Sequence, residues 1–277
     1  MLGQGSFMAK KRLDILLFEK GLVSSRERAK AAIMEGLVYV NGQKADKAGE
    51  NVAEDARIEV RSTGKSFVSR GGKKIEKALG YFKIDPSGLV CMDIGASTGG
   101  FTDCLLQRGA NKVYSIDVGY GQLAWSLRQD PRVKCMERTN IRYVTPEMLE
   151  ETPELAVIDV SFISLKLVLP VVAELLSECG HVACLIKPQF EAGKGKVGKK
   201  GVVRDPLIHQ NVLESFVCHA HDAGFHVLDI TFSPIKGPEG NIEYLLHLKK
   251  RPEGEVIQSS LEVTPEAVVQ EAHSQLD

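Results

Sequence analysis

The 277-residue sequence has little that would take it outside the ordinary globular proteins. No apolar run reaches the roughly 18–20 residues that a membrane span needs. No basic stretch followed by an apolar one opens the chain as a secretory signal does. The six cysteines form no CxxC pair, which removes the usual zinc and redox motifs. Cys91, Cys104, Cys135, Cys179, Cys184 and Cys218 sit mostly in apolar runs, the pattern of reduced core thiols in a cytoplasmic protein. Cys218, His219 and His221 stand together, but no second ligand pair completes a tetrahedron, so no metal is expected. Met1–Phe7 precede a second start-like methionine, Met8, and read as an expression scar.

What is present suits one α/β domain with a small appendage: 43% hydrophobic and 26% charged residues. The net charge of −1 hides an asymmetry. Up to Lys83 there are 17 Lys and Arg against 10 Asp and Glu, a surplus of +7; the remainder has 18 against 26, or −8. The split points to a basic module that reaches for a polyanion beside a more acidic body.

In the basic part, Leu13, Leu16 and Leu17 form a helical stripe that ends at Gly21. Ser24 or Ser25 caps a second helix with Ala29, Ala32 and Ile33 inward and Gly36 at its end. Val38-Tyr39-Val40 is a strand turned by Asn41-Gly42, a hairpin signal, and another strand follows at Arg57–Val60. Lys11, Arg12, Ser25, Arg26, Arg28 and Lys30 cluster on or near the helices, where guanidinium forks and helix N-termini together suit phosphates. The ordered series Arg12-Leu13-Asp14, Gly21-Leu22, Ser25-Arg26, Gly36 and Val38–Gly42 resembles the S-four-like RNA-binding domain.

Leu89–Ile94 is a buried strand, followed by Gly95-Ala96-Ser97-Thr98-Gly99-Gly100 and a helix from Phe101 to about Arg108. Glycines between a strand and a helix let backbone approach a ligand. The next strand, Val113–Ile116, ends at Asp117, about 20 residues on, where a carboxylate can accept ribose hydroxyls. Gly95–Gly99 also matches the G-x-S-x-G elbow of hydrolases, with Ser97 as nucleophile and His247 as partner. A dinucleotide site is a further reading, although the glycines depart from G-x-G-x-x-G. The Asp93-to-Asp117 constellation is longer and more exacting and favours S-adenosylmethionine.

Asp93–Asp103 (DIGASTGGFTD), together with Ser69-Arg70-Gly71-Gly72-Lys73-Lys74, resembles the TlyA, or haemolysin A, family of FtsJ-like ribose 2′-O-methyltransferases that act on ribosomal RNA. The resemblance implies a Rossmann-like α/β methyltransferase with a seven-stranded, mostly parallel sheet behind a small N-terminal α+β RNA-binding domain. It implies a cofactor set of Asp93, Gly95, Ala96, Ser97, Gly99, Gly100, Phe101, Thr102, Asp117, Asn140 and Asp159. FtsJ-like enzymes use a Lys-Asp-Lys-Glu tetrad, which maps here onto Lys74, Asp159, Lys187 and Glu243, with Lys73 an adjacent alternative for the first member. The target implied is a cytidine ribose.

The residues themselves fit that chemistry. Asp159 follows the apolar strand Leu155–Ile158, and Lys187 follows His181–Ile186, so both stand at the carboxyl edge of a parallel sheet. The segment Gly237–Glu243 brings Glu243 near the same edge. A ribose hydroxyl is a poor acid, so positioning and charge stabilisation should dominate its methylation. Gly193–Lys200 matches G-x-x-x-x-G-K, but Lys200 stands where a phosphate loop needs Ser or Thr. It reads instead as a mobile basic lid over an RNA backbone or as a plain solvated loop; on the first reading Lys194, Lys196, Lys199, Lys200 and Arg204, with Arg70, join the expected RNA contacts.

The expected layout is a scar at 1–7, the RNA-binding module at 8–62, a linker and catalytic-domain start at 63–82, the methyltransferase at 83–250 and a tail at 251–277. Within the last part, Asp205 caps a helix from Pro206 to about Ala223, a strand spans His226–Ser233, and a weak helix lies beyond Lys250. The expected partners are ribosomal RNA or ribosomal subunits. The rival readings are an RNA- or ribosome-binding protein with an inactive methyltransferase fold, a hydrolase, and a haemolysin; nothing in the sequence supplies an export signal or a spanning segment for the last.

Overall fold

In the computed structural model, residues 10–23, 25–34, 36–60, 67–193, 195–198, 201–256, 261 and 263–276 are described. The chain divides into two compact units, Met1–Ser66 and Phe67–Asp277.

The first unit runs β1 (Lys10–Arg12), α1 (Leu13–Glu19), α2 (Arg26–Met34), β2 (Val38–Val40), β3 (Gln43–Lys44), β4 (Asn51–Ala53) and β5 (Ile58–Val60). Strand β1 pairs antiparallel with β4, and β2 pairs antiparallel with both β3 and β5. Asn41 and Gly42 both take positive φ, 50° and 84°, the turn that a two-residue hairpin requires. Leu13, Leu16 and Leu17 pack against Ala29, Ile33 and Val38 as a small core. Ser25 caps α2, its Oγ accepting from Arg28 N at 3.1 Å; Ser24 lies outside the described residues.

The second unit runs α3 (Gly71–Tyr81), β6 (Val90–Ile94), α4 (Gly100–Gln107), β7 (Lys112–Ile116), α5 (Trp125–Arg128), β8 (Val133–Met136), β9 (Leu155–Ile158), α6 (Leu169–Leu175), β10 (His181–Ile186), α7 (Pro188–Glu191), α8 (Pro206–Asp222), β11 (Phe225–Phe232), β12 (Tyr244–Lys250) and α9 (Pro265–Leu276). Its sheet has seven strands in the order β11-β12-β10-β9-β6-β7-β8. Strand β12 is antiparallel to both neighbours, while the pairs among β10, β9, β6, β7 and β8 are parallel. Strands β6 and β9 are buried along their whole length, as apolar runs covered on both faces must be.

Side chains alternate between two cores. Met92, Ile94, Ile158 and Ile186 face one core together with Val172 of α6, Leu213 and Phe216 of α8 and Val269 of α9. Cys91, Val157, Leu185 and Leu245 face the other, with Ile75 and Leu79 of α3 and Leu105 of α4. The tail beyond Lys250 therefore contributes to the core: Val268, Val269 and Ala272 of α9 are buried. Among the described residues, no helix is long and apolar enough to cross a membrane.

Register decides what gathers at the carboxyl edge. Chain order reverses between β6 and β9, which is where open α/β sheets leave a crevice for ligands. Ile94 pairs with Ile158, so Gly95 and Asp159 leave the sheet side by side. Ile186 pairs with Tyr244 of the antiparallel β12, so Lys187 leaves the sheet beside Glu243.

Candidate active site

Four charged groups meet at that edge. Lys74 Nζ donates to Glu243 Oε2 at 2.6 Å and stands 3.8 Å from Asp159 Oδ2. Lys187 Nζ lies 2.5 Å from Asp159 Oδ1 and donates to Ser161 Oγ at 2.9 Å. The four form a line, Glu243–Lys74–Asp159–Lys187, with no net charge when all are ionised. Glu243 is fully buried and Lys74 nearly so, whereas Asp159 and Lys187 keep partly exposed side chains. Burial pushes the Glu243 carboxyl above the usual range, and the Lys74 ammonium opposes that shift. Lys74, and not its neighbour Lys73, makes these contacts.

Two clefts adjoin at this line. One, of about 720 Å³, is lined by Ser69, Arg70, Lys74, Gly95–Thr98, Phe101, Asp159, Phe162, Lys187, Asn241 and Glu243 among others. The second, of about 700 Å³, is lined by Gly95, Ser97, Ile116, Asp117, Gln122, Asn140, Arg142, Asp159 and Phe162 among others. Gly95, Ser97, Asp159, Ser161 and Phe162 belong to both walls. Gly95 has φ +87°, and a Cβ there would stand 2.5 Å from the Asp159 carbonyl oxygen. That contact fixes glycine at the position.

The loop after β6 is held from behind. Asp93 is fully buried; its Oδ2 accepts from Thr102 N at 2.8 Å and from Thr102 Oγ1 at 2.6 Å. Its Oδ1 has no hydrogen-bond partner among the described residues. Burial pushes the Asp93 carboxyl up to about 7 despite the Thr102 hydrogen bonds. Thr102 is also fully buried, and its hydroxyl meets Ser115 Oγ at 2.7 Å. Thr102, expected at the cofactor surface, therefore orients Asp93 from the interior. Gly99, with Leu123 and Leu127 packed against it, and Asp93 itself likewise line neither cleft. Asp117 faces the second cleft and anchors the loops around it, accepting from Ser97 N at 2.8 Å and Gly119 N at 2.6 Å. Asn140 lines the same cleft, and its Oδ1 accepts from Arg142 N.

In the first unit, Arg12 and Arg26 both bind the buried Asp14, at 2.9 and 3.2 Å, and Lys11 pairs with Glu19 at 2.6 Å. The Arg12 guanidinium holds the Asp14 carboxyl down at about 2. These cations thus brace α1 and α2 while about half of each arginine side chain stays exposed. Lys30, Arg70, Lys196 and Arg204 are exposed; Lys194, Lys199 and Lys200 lie outside the described residues.

Sequence reading missed Ser161 and Phe162. Phe162 is 91% exposed and has φ 63°, a backbone state that costs a non-glycine residue energy and collects at functional sites. Its ring lies 5.0 Å from that of Phe190. Nothing in the segment Val160–Ser164 has a helical or strand period, so an exposed phenylalanine there was the available signal.

The FtsJ-like methyltransferase family model matches residues 67–250, and the S4 domain model matches residues 11–58. YqxC of Bacillus subtilis is 51% identical over 96% of this chain and 95% of its own length. The 16S/23S rRNA (cytidine-2′-O)-methyltransferase TlyA of Mycobacterium tuberculosis is 43% identical over 91% of this chain and 94% of its own. A solved structure from Streptococcus thermophilus, named as a hemolysin, is 46% identical, covers 97% of both chains and superposes with a TM-score of 0.76. The chain belongs to the FtsJ-like methyltransferase family, in the group of S4-domain-bearing proteins that includes TlyA.

Proposed function

We propose that the protein transfers a methyl group from S-adenosylmethionine to the 2′-hydroxyl of a cytidine ribose in ribosomal RNA. The observation that carries this reading is the line Glu243–Lys74–Asp159–Lys187 along one cleft, with Asp159 standing at the wall shared with the second. The cytidine and the ribosomal RNA come from what the relatives act on.

S-adenosylmethionine supplies an electrophilic methyl group on a sulfonium. The residues present fit it: close-approaching backbone at Gly95 and Ser97, and a carboxylate at Asp117. The ribose enters from the first cleft. Lys187 donates to Ser161 Oγ and is ion-paired with Asp159, and its three-proton ammonium has a donor to spare for the 2′-oxygen. Lys187 then orients that oxygen and stabilises the negative charge that grows on it as the hydroxyl proton passes to solvent water in the cleft. Asp159 sets the Lys187 amine, and Lys74 with Glu243 sets Asp159. Phe162, exposed at the mouth, offers its face to the base on the target ribose; base–aromatic stacking contributes about 1–3 kcal/mol.

The basic S4 unit and the exposed Arg70, Lys196 and Arg204 supply phosphate contacts. A labelled methyl group should pass from S-adenosylmethionine to ribosomal subunits taken from a strain that lacks the enzyme. Absence of transfer to every subunit preparation, with cofactor binding measured, would favour a protein that only binds RNA.

A further inference from the structure

The Gly/Lys-rich loop ends in a short stem, Gly201–Val203, that is fastened on two sides to the strand carrying Glu243. On one side stands Asn241, 2% exposed. Its Oδ1 accepts from Val203 N at 3.0 Å, and its Nδ2 donates to Gly201 O at 2.9 Å. On the other side stands His209 of α8, fully buried, whose Nε2 donates to Val203 O at 3.0 Å. That bond makes His209 Nδ1 the acceptor for Tyr244 Oη at 2.8 Å. Asn241 and Tyr244 flank Glu243 in the sequence. The Asn241 carbonyl also accepts from Gly237 N at 2.9 Å, and a Cβ on Gly237 would stand 2.6 Å from Glu243 Oε1. The stem and the 237–241 turn are therefore one hydrogen-bonded unit, and the turn runs close beside the Glu243 carboxylate.

We propose that Asn241 is a positioning residue: it couples the Gly201–Val203 stem to the turn beside Glu243, so that the stem and the Lys74–Asp159–Lys187 line are set together. The proposal rests on the methyl-transfer reading above. A surface asparagine would need no such pair of backbone partners. A buried one whose two polar atoms hold an N–H and a carbonyl of a single stem is built to fix it.

The test compares the full-length protein with Asn241→Ala, Asn241→Asp and, on the other clamp, His209→Gln. Single-turnover methyl transfer at saturating RNA and cofactor is read beside cofactor affinity and trypsin cleavage after Lys196. Asn241→Ala should slow transfer between about fivefold and a hundredfold, the cost of unmaking a buried hydrogen-bond pair at the site, and should speed cleavage at Lys196. Cofactor affinity should stay within about threefold, because Asn241 lines the other cleft. Asn241→Asp keeps the acceptor for Val203 N and should fall between the two. Transfer by Asn241→Ala within twofold of the parent overturns the proposal. So does a parallel loss of cofactor affinity in all three variants, which marks a general fold defect. If the unsubstituted protein transfers no methyl group, the functional reading itself fails, and this one with it.

Discussion

Lys74 and Glu243 lie 169 residues apart in the chain, and their side chains meet at 2.6 Å in a buried pair at the carboxyl edge of the sheet. One sits on α3 and the other at the entry of β12, so the pair ties the first helix of the methyltransferase unit to the last strand of its sheet. Desolvating two charges costs more than a lone contact returns, and such pairs persist where they set geometry.

Removing Lys74 alone should leave an unpaired buried carboxylate. Lys74→Met is expected to lower unfolding stability by about 3–5 kcal/mol, read from urea denaturation. The double variant Lys74→Met with Glu243→Leu should recover most of that loss while methyl transfer stays absent. Equal instability of the single and double variants would contradict a charge-pair origin.

Lys187→Ala should reduce transfer by about two to three orders of magnitude, as removal of an oxyanion-stabilising donor does. Cofactor affinity should remain within a few-fold, since Lys187 faces the other cleft. Isothermal titration with the cofactor beside single-turnover kinetics separates the two effects. Near-parental turnover would remove Lys187 from the mechanism.

Two buried groups give opposite pH dependences. Asp93 is raised to about 7 by burial. Its contribution to stability is present below about 4, the unfolded value, and is lost as pH rises through about 7. The cofactor-free protein should thus lose thermal stability between pH 5 and 8 relative to Asp93→Asn.

His247, stacked on Phe82 and 2.8 Å from His181, is lowered to about 4 by burial. Its contribution is present above about 6.5 and is lost as pH falls toward 4. His247→Gln should flatten the acid limb of the stability curve. An unchanged limb would place the acid sensitivity elsewhere.

In the S4 unit, Arg12 and Arg26 brace Asp14, so their loss mixes folding with binding. Lys30→Ala, at an exposed lysine, is the cleaner probe. Each lost phosphate contact should lower the slope of log affinity against log salt by about 0.7–0.9. Filter binding to ribosomal RNA over a salt series measures it; an unchanged slope would put the RNA on another face.

The site was legible where chemistry follows a strong local pattern. Asp93, Gly95, Asp159 and Lys187 each sit at or near the end of an apolar strand, and those strands form the middle of the sheet; its count of seven came from the family resemblance. Position in the sequence did not show that Asp93 and Thr102 face inward, because that depends on packing of α4 against β6. Nor did it show β8, a half-exposed strand at the sheet edge with burial too uneven for a clear period. Helix α9 read as a weak tail because its partners, α8 and β11, are distant in sequence. Asn241 and the Gly201–Val203 stem were hidden for the same reason: their bonds span about 40 residues and leave no spacing to recognise.

The central claim is the identity of the atom methylated. Ribosomal RNA from a strain lacking the enzyme, treated with the protein and labelled S-adenosylmethionine, should be digested to nucleosides and separated. The label should appear in 2′-O-methylcytidine and disappear with Lys187→Ala. Label on a base, or a product unaffected by that substitution, would contradict it.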